Sequence, residues 1–179
     1  MFPQIETERL RLRELTVNDA ERVLACFENE LVIRYYGQDK MTRVEEAKDI
    51  IHFFTRNFHE RRGVRWGIER KETNEMIGTI GLNALVLKHK RSEIGYELHP
   101  DYWGLGYASE SLAAVLSYGF KQLELTRIGA VVFLENEASS CLLLNHGFQR
   151  EGILRSYMYQ DGKAHDAYMY SLINRNGSE

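Results

Sequence analysis

The segment Glu97–Glu110 constrains the fold of this chain more than any other. It reads Glu-Leu-His-Pro-Asp-Tyr-Trp-Gly-Leu-Gly-Tyr-Ala-Ser-Glu, which predicts a strand that ends, a glycine loop and the start of a long helix. The strand stops at Pro100, because proline cannot donate a hydrogen bond to a neighbouring strand. Gly104 and Gly106 allow backbone conformations and close approaches that a side chain would prevent. Strand and helix are therefore joined by a tight turn.

This glycine loop is suited to bind a phosphate group. The first N–H groups of a helix have no partner within the helix and lie at the positive end of its dipole. The same residues also fit an ordinary turn in which glycine serves geometry alone. A P-loop would need the string GxxxxGK[ST], which the sequence lacks, and a dinucleotide fingerprint would need glycine where Ser109 stands. An acyl-CoA loop is the third option.

Periodicity along the chain predicts the order β-α-α-β-β-β-α-β-α-β-β, an α/β (α+β) arrangement around one sheet. Leu10 and Leu12 alternate with arginines as in a half-buried strand, and Thr42 with Glu45 has the pattern of a capping box before the second helix. The other expected elements are a helix over about 18–29, a hairpin of 66–70 and 76–82, a strand over 92–98, a helix with apolar positions from 108 to 123, a strand over 128–134, a helix over 138–145, and strands over 148–159 and 164–173.

Composition excludes several classes of protein. The chain of 179 residues has 23 Lys+Arg against 26 Asp+Glu, a net charge of −3, so a basic nucleic-acid-binding surface is not expected. Its N-terminus lacks the apolar region of a secretory signal, and its apolar stretches fall short of a membrane span. Cys26 and Cys141 lack CxxC spacing, which indicates a reducing compartment. We expect a soluble cytoplasmic protein with one domain over residues 1–179.

Four ordered motifs carry a resemblance to a known family. The loop Trp103-Gly-Leu-Gly-Tyr-Ala108 resembles the signature [Q/R]xxGx[G/A] of the GNAT superfamily of N-acetyltransferases. The branch of ribosomal-protein N-terminal alanine/serine acetyltransferases is similar at three further places: Asn136–Ser139, Gly147–Gly152 and Asp161–Asp166. The resemblance runs nearly end to end, from Thr7–Arg13 to Tyr170. The resemblance implies a mixed, mostly antiparallel sheet of about six to seven strands with about four helices, in which two central parallel strands splay apart. Trp103 departs from the signature, since most members have Gln or Arg there.

The resemblance implies acetyl-CoA as cosubstrate and assigns residues to it. The CoA pyrophosphate would bind the loop residues Trp103, Gly104, Leu105, Gly106, Tyr107, Ala108 and Ser109. Pantetheine would lie between strands 92–98 and 128–134, with contacts to the backbone of Leu98 and to Asn136 and Ser139. The N–H near Leu98 is also the expected donor to the oxyanion. Asn136 can equally be an ordinary strand-end residue in a turn.

The implied catalytic residues are Ser139 and Glu97. Many members place a tyrosine acid where Leu143 stands, whereas the ribosomal branch uses the serine that matches Ser139. Ser139 can also be a local backbone partner in the first turn of its helix. The glutamate that is the proposed base in this branch corresponds to Met158 here, so Glu97 is the expected replacement. The alternatives for the base are Glu93, His99, Asp101 and Tyr159.

The expected function is acetyl transfer to a primary amine, with the N-terminal α-amine of a protein as first choice. A polyamine or aminoglycoside is the alternative acceptor, and a non-catalytic CoA-binding sensor is the alternative to an enzyme. Tyr35 and Tyr36 are candidates for the acceptor wall, although core packing explains such a pair equally well. The histidines lack HxxxH or HExxH spacing, so no metal is expected. We expect a monomer or homodimer that contacts neither nucleic acid nor membrane directly.

Overall fold

The computed structural model of the chain describes residues 1–174, and the last part of the predicted domain, 175–179, lies outside the described residues. Its strands are β1 (Ile5–Glu6), β2 (Leu10–Glu14), β3 (Val64–Arg70), β4 (Glu75–Val86), β5 (Arg91–Leu98), β6 (Arg127–Phe133), β7 (Gln149–Gln160) and β8 (Lys163–Ile173). They form one eight-stranded sheet in the order β1-β2-β3-β4-β5-β6-β8-β7. Neighbouring strands are antiparallel except β5 and β6, which are parallel. The predicted fold class is therefore confirmed.

Helices cover both faces of this sheet. They are α1 (Ala20–Phe27), α2 (Glu30–Ile33), α3 (Val44–His59), α4 (Tyr107–Lys121) and α5 (Glu137–Asn145). Side chains alternate between the faces along each strand, so Val64, Trp66 and Ile68 of β3 join the core cluster that contains the buried side of α4. A second cluster joins the buried sides of α1 and α3. The sheet thus separates two cores.

The parallel pair β5/β6 holds together over a short distance. Its register joins Arg91–Glu93 to Arg127–Gly129, and beyond these residues the two strands diverge. The splayed central strands that the family resemblance implied are therefore present. They leave a gap in the middle of the sheet, next to the glycine loop at the end of β5.

The structure corrects several expected boundaries. The sheet has one or two strands more than expected, because β1 consists of only two residues and shows no period in the sequence. The four-residue α2 was also not expected, and it brings the described helices to five. The capping box at α3 uses Glu46 in place of Glu45, since the helix begins one residue later and the Glu46 carboxylate accepts from the amides of Thr42 and Arg43.

Within residues 1–174, no helix combines the length and the apolar character needed to cross a membrane.

Candidate active site

A cavity of about 810 Å³ occupies the gap between β5 and β6. Most of the predicted site residues line it: Glu97, Leu98, Trp103, Gly104, Gly106, Tyr107, Ala108, Ser109, Asn136 and Ser139. Leu105 is different, since its side chain is 53% exposed and does not line the cavity. Predicted site residues from two segments of the chain, 97–109 and 136–139, are thus brought to one place.

The glycine loop has the geometry that its sequence predicts. Gly104 and Gly106 have φ values of 72° and 82°, a left-handed conformation that favours glycine. Gly106 is the N-cap of α4, and it has no side chain that could accept from the first N–H groups of the helix. These N–H groups are therefore free to bind an anion, which fits the pyrophosphate of CoA.

Trp103 connects the loop to the end of β5. Its indole N–H donates to the carbonyl oxygen of Leu98 at 2.7 Å, and the residue is 47% exposed. The indole therefore supports the turn from outside the helix terminus. Because the indole is uncharged, the backbone N–H groups are what residues 103–109 themselves can offer to an anion.

The backbone of β5 faces the gap at two residues. The amide of His99 donates to the carbonyl of Ile77 at 2.9 Å. In an antiparallel ladder, this bond places Leu98 at a position whose own N–H and C=O point away from β4. The same holds for Tyr96, two residues earlier. Because β6 has diverged there, the N–H of Leu98 and both groups of Tyr96 can pair with a ligand as a strand would, which fits the amides of pantetheine. The C=O of Leu98 already accepts from the Trp103 indole.

Asn136 and Ser139 lie at the start of α5, on the far wall of the cavity. Asn136 is the N-cap of α5, and its side-chain oxygen accepts from the amide of Ser139 at 3.2 Å. Asn136 therefore has a structural role at the helix start, which its sequence position allowed. Its side-chain amide remains a donor on the cavity wall. The hydroxyl of Ser139 shares a hydrogen bond of 2.6 Å with the hydroxyl of Tyr96.

Tyr96 was not predicted as a site residue. It lies on the diverging part of β5, and burial raises the pKa of its phenol to about 12. The phenol is therefore protonated at neutral pH and can donate to Ser139. In that arrangement the hydroxyl hydrogen of Ser139 is available to a group in the cavity. An aromatic residue on the strand before the loop is the sequence signal that could have identified it.

Glu97 lies on the other face of the sheet, in a buried ion pair with Arg65. Its side chain is 1% exposed, and its carboxylate accepts from Arg65, from the hydroxyl of Thr79 and from the hydroxyl of Tyr36 at 2.8 Å. Burial acts to lower the pKa of Arg65, but the charge of Glu97 and the contacts with Glu97 and Tyr36 together outweigh it, and the pKa is raised. A carboxylate offers about four acceptor positions, so three donors leave one.

Two glycines make this buried arginine possible. A side chain at Gly81 would lie 2.6 Å from Cδ of Arg65, and one at Gly95 would lie 3.3 Å from its Nη1. The guanidinium crosses this groove and donates to the carbonyl of Gly95 at 3.0 Å. Gly81 and Gly95 face each other in the β4–β5 register, which is the sequence signal for the groove. Sequence reasoning missed Arg65 because its partner is 32 residues away.

Of the four alternatives for the base, Glu93 lies on the cavity wall. His99 and Asp101 lie just beyond β5, where the His99 ring accepts from the amide of Asp101 at 3.3 Å, and neither residue lines the cavity. Tyr159 is 69% exposed and also lies outside it. Tyr35 and Tyr36 both line the cavity, as the resemblance implied for an acceptor wall. In residues 1–174, no group of three or more His, Cys, Asp or Glu side chains is arranged to hold a metal ion.

Comparison with known proteins identifies the family. The sequence profile described as "Acetyltransferase (GNAT) domain" matches residues 9–149. The chain belongs to the GNAT acetyltransferase family. GNAT membership makes it an acyltransferase that uses acetyl-CoA and transfers an acetyl group to nitrogen.

Individual GNAT relatives are similar over almost the whole chain. An uncharacterised N-acetyltransferase, YoaA of Bacillus subtilis (strain 168), is 55% identical over 97% of this chain and 98% of its own. Spermidine N(1)-acetyltransferase of Escherichia coli (strain K12) is 26% identical over 88% and 82%. The solved structure of RimL, a ribosomal L7/L12 α-N-protein acetyltransferase in complex with CoA, has a TM-score of 0.84, covers 96% of this chain and 98% of its own, and at 23% identity shows the shared fold.

The buried Arg65–Glu97 pair predicts a large loss of stability when one charge is removed. Glu97→Gln leaves the Arg65 guanidinium buried without a counter-charge, and we expect the free energy of unfolding in urea to fall by about 3–5 kcal/mol. Glu93→Gln is the matched control, because it makes the same change on the same face of β5 at a less buried residue. Its expected loss is below about 1 kcal/mol. Equal losses in the two variants would contradict the role of the pair.

Proposed function

We propose that this GNAT enzyme acetylates the N-terminal α-amine of a protein or peptide. The observation that carries the proposal is the charge of the cavity. Its charged lining residues are Arg34, Glu93 and Glu97, and Glu97 is neutralised by Arg65. A polyamine carries several positive charges that need several unpaired carboxylates, whereas one α-amine needs little compensation. Tyr35 and Tyr36 add aromatic walls that suit a peptide chain.

The basicity of the acceptor supports the same choice. An α-amine with a pKa of about 7.8 is about 14% neutral at pH 7, whereas a lysine-type amine with a pKa of about 10.4 is about 0.04% neutral. Only the neutral amine attacks a thioester. An α-amine therefore needs little help from a base, which agrees with a carboxylate that already accepts from three donors.

Acetyl-CoA bound in the gap supplies a thioester whose carbonyl carbon the amine attacks, with loss of CoA as the thiol. Residues 104–109 hold the pyrophosphate through backbone N–H groups, and the backbone of Tyr96 and Leu98 holds pantetheine, together with Asn136. The N–H of Leu98 donates to the oxygen that becomes negative during attack.

Ser139 and Glu97 move the protons in this proposal. Ser139 donates its hydroxyl proton to the leaving thiolate and takes up the phenol proton of Tyr96 in the same step. After the products leave, water returns a proton to Tyr96 and takes up the one that Glu97 gains. On the opposite face, the new amide nitrogen loses its proton to the Tyr36 oxygen as Tyr36 passes its own proton to Glu97. The two proton transfers thus take place on opposite sides of the sheet, with the gap between them.

The same proposal includes the extent of the domain, its compartment and its partners. The whole chain, 1–179, serves as one catalytic domain in the cytoplasm, in agreement with two cysteines that form no disulfide. We assign it no metal, and an amine acceptor as its partner, with the protein itself a monomer or homodimer.

An amine panel tests the proposed acceptor. The protein is incubated at pH 7 with acetyl-CoA and a peptide that has a free N-terminal serine or alanine, and release of the CoA thiol is measured. The same peptide with a blocked N-terminus and one internal lysine is the matched control; spermidine and an aminoglycoside complete the panel. We expect the free α-amine to react at least about tenfold faster than every other amine, because far more of it is neutral.

Other outcomes of the panel would contradict either the acceptor class or the catalysis itself. A higher rate with spermidine or the aminoglycoside would contradict the acceptor class but keep the enzyme. Binding of CoA without thiol release for any amine would contradict the proposed catalysis and support a sensor.

Replacement of Ser139 tests the proposed acid. With the acceptor found in the panel, we expect Ser139→Ala to lower kcat by about 10²-fold, since a general acid contributes at least that much, while the Kd for CoA stays unchanged. Ser140→Ala is the matched control on the same helix, because the Ser140 hydroxyl has no hydrogen-bond partner among the described residues. Normal turnover by Ser139→Ala would show that another group protonates the thiolate.

A further inference from the structure

Arg9, from the N-terminal segment, lies against the glycine loop from outside the cavity. Its Nη1 donates to the carbonyl oxygen of Leu105 at 2.9 Å. Its guanidinium carbon is 4.5 Å from the centre of the Tyr107 ring. A side chain at Gly106 would lie 3.2 Å from its Nη2. Arg9 therefore contacts three consecutive residues of the loop, although it is 96 positions away from Leu105.

Glu110, in the first turn of α4, fixes this guanidinium. Its carboxylate accepts from Nε of Arg9 at 2.7 Å, from the backbone N–H of Arg9 at 2.9 Å and from the hydroxyl of Thr7 at 2.6 Å. The planar fork of arginine holds its Nε and Nη1 donors in a fixed geometry toward the carboxylate and the loop carbonyl, whereas a lysine ammonium is a compact point charge without this fork. The N-terminal segment is thereby attached to the start of α4.

The bond to Leu105 determines which way the next N–H points. The carbonyl of Leu105 and the N–H of Gly106 belong to the same peptide group, and in a trans peptide these two groups point in opposite directions. Since the carbonyl points to Arg9 on the outside, the N–H of Gly106 points to the cavity that Gly106 lines. Gly106 has a flexible backbone on its own, so this orientation needs an external partner.

Arg9 also brings a positive charge to the loop. Trp103 is uncharged at the position where the family signature has Gln or Arg, and the Arg9 guanidinium approaches the same turn from the residue just before β2. Its side chain is 44% exposed and its charge is balanced by Glu110, so the charge itself adds little attraction for a phosphate. The effect of Arg9 on the ligand therefore comes chiefly from the loop geometry that it fixes.

We propose that Arg9 is a positioning residue for CoA, which holds the Leu105–Gly106 peptide so that its N–H binds the pyrophosphate. This inference rests on the CoA site of the proposed function, but the acceptor plays no part in it. It also gives the Thr7–Arg13 motif a role in the binding of the cofactor.

Direct binding measurements test this role. The Kd for CoA and for pantetheine, which lacks the pyrophosphate, is measured by calorimetry with the full chain, and Tm is recorded for each variant. We expect Arg9→Ala to raise the Kd for CoA at least about tenfold and to leave the Kd for pantetheine unchanged. Arg9→Lys should be intermediate, because it keeps the charge and loses the fork.

Arg11→Ala is the matched control. Arg11 lies two residues further along the chain, in β2, and it pairs with Glu6 and Glu69 and not with the loop. The Kd of Arg11→Ala for CoA should therefore stay within twofold of that of the unsubstituted protein. Three results would overturn the inference. Arg9→Ala could bind CoA with wild-type affinity, or it could lose affinity for CoA and pantetheine alike. Arg9→Lys could also bind CoA with wild-type affinity. A chain without substitutions that fails to bind CoA would instead overturn the proposed function and this inference with it.

Discussion

The divergence of β5 and β6 is the constraint on which the rest of the structure depends. A buried backbone N–H or C=O without a partner costs free energy, so a sheet that opens in its middle must supply another partner for these groups. The Trp103 indole is that partner for the C=O of Leu98. The amides of pantetheine can take that place for the N–H of Leu98 and for the N–H and C=O of Tyr96. The glycine loop follows immediately after β5, so the strand that offers backbone groups also leads the chain to the anion-binding start of α4.

Two faces of the sheet carry different chemistry because side chains alternate along β5. Tyr96 points to the side of α5 and meets Ser139, whereas Glu97 points to the side of Tyr36 and meets Arg65. The gap joins the two sides, so a cofactor and an acceptor can approach from opposite faces. The net charge of −3 is no obstacle to a polyanionic cofactor, since helix N–H groups attract an anion locally, whatever the charge of the whole chain.

Local sequence patterns predicted the elements that position the site, but they did not predict the long-range contacts. The end of β5 before Pro100 and the turn at Gly104 and Gly106 follow from the properties of single residues, and the family motifs added the splayed strands. The pairs Arg65–Glu97 and Arg9–Leu105 join distant segments, and the sequence near either arginine does not indicate which residue it contacts. β1 and α2 were missed for a different reason, because two and four residues are too few to show a period.

A crystal structure of the protein with CoA tests the central claim most directly. The account predicts that pantetheine lies between β5 and β6 with hydrogen bonds to the backbone of Tyr96 or Leu98, and that the pyrophosphate accepts from N–H groups of residues 104–109. CoA bound elsewhere on the surface, or strands β5 and β6 closed against each other along their whole length, would contradict it.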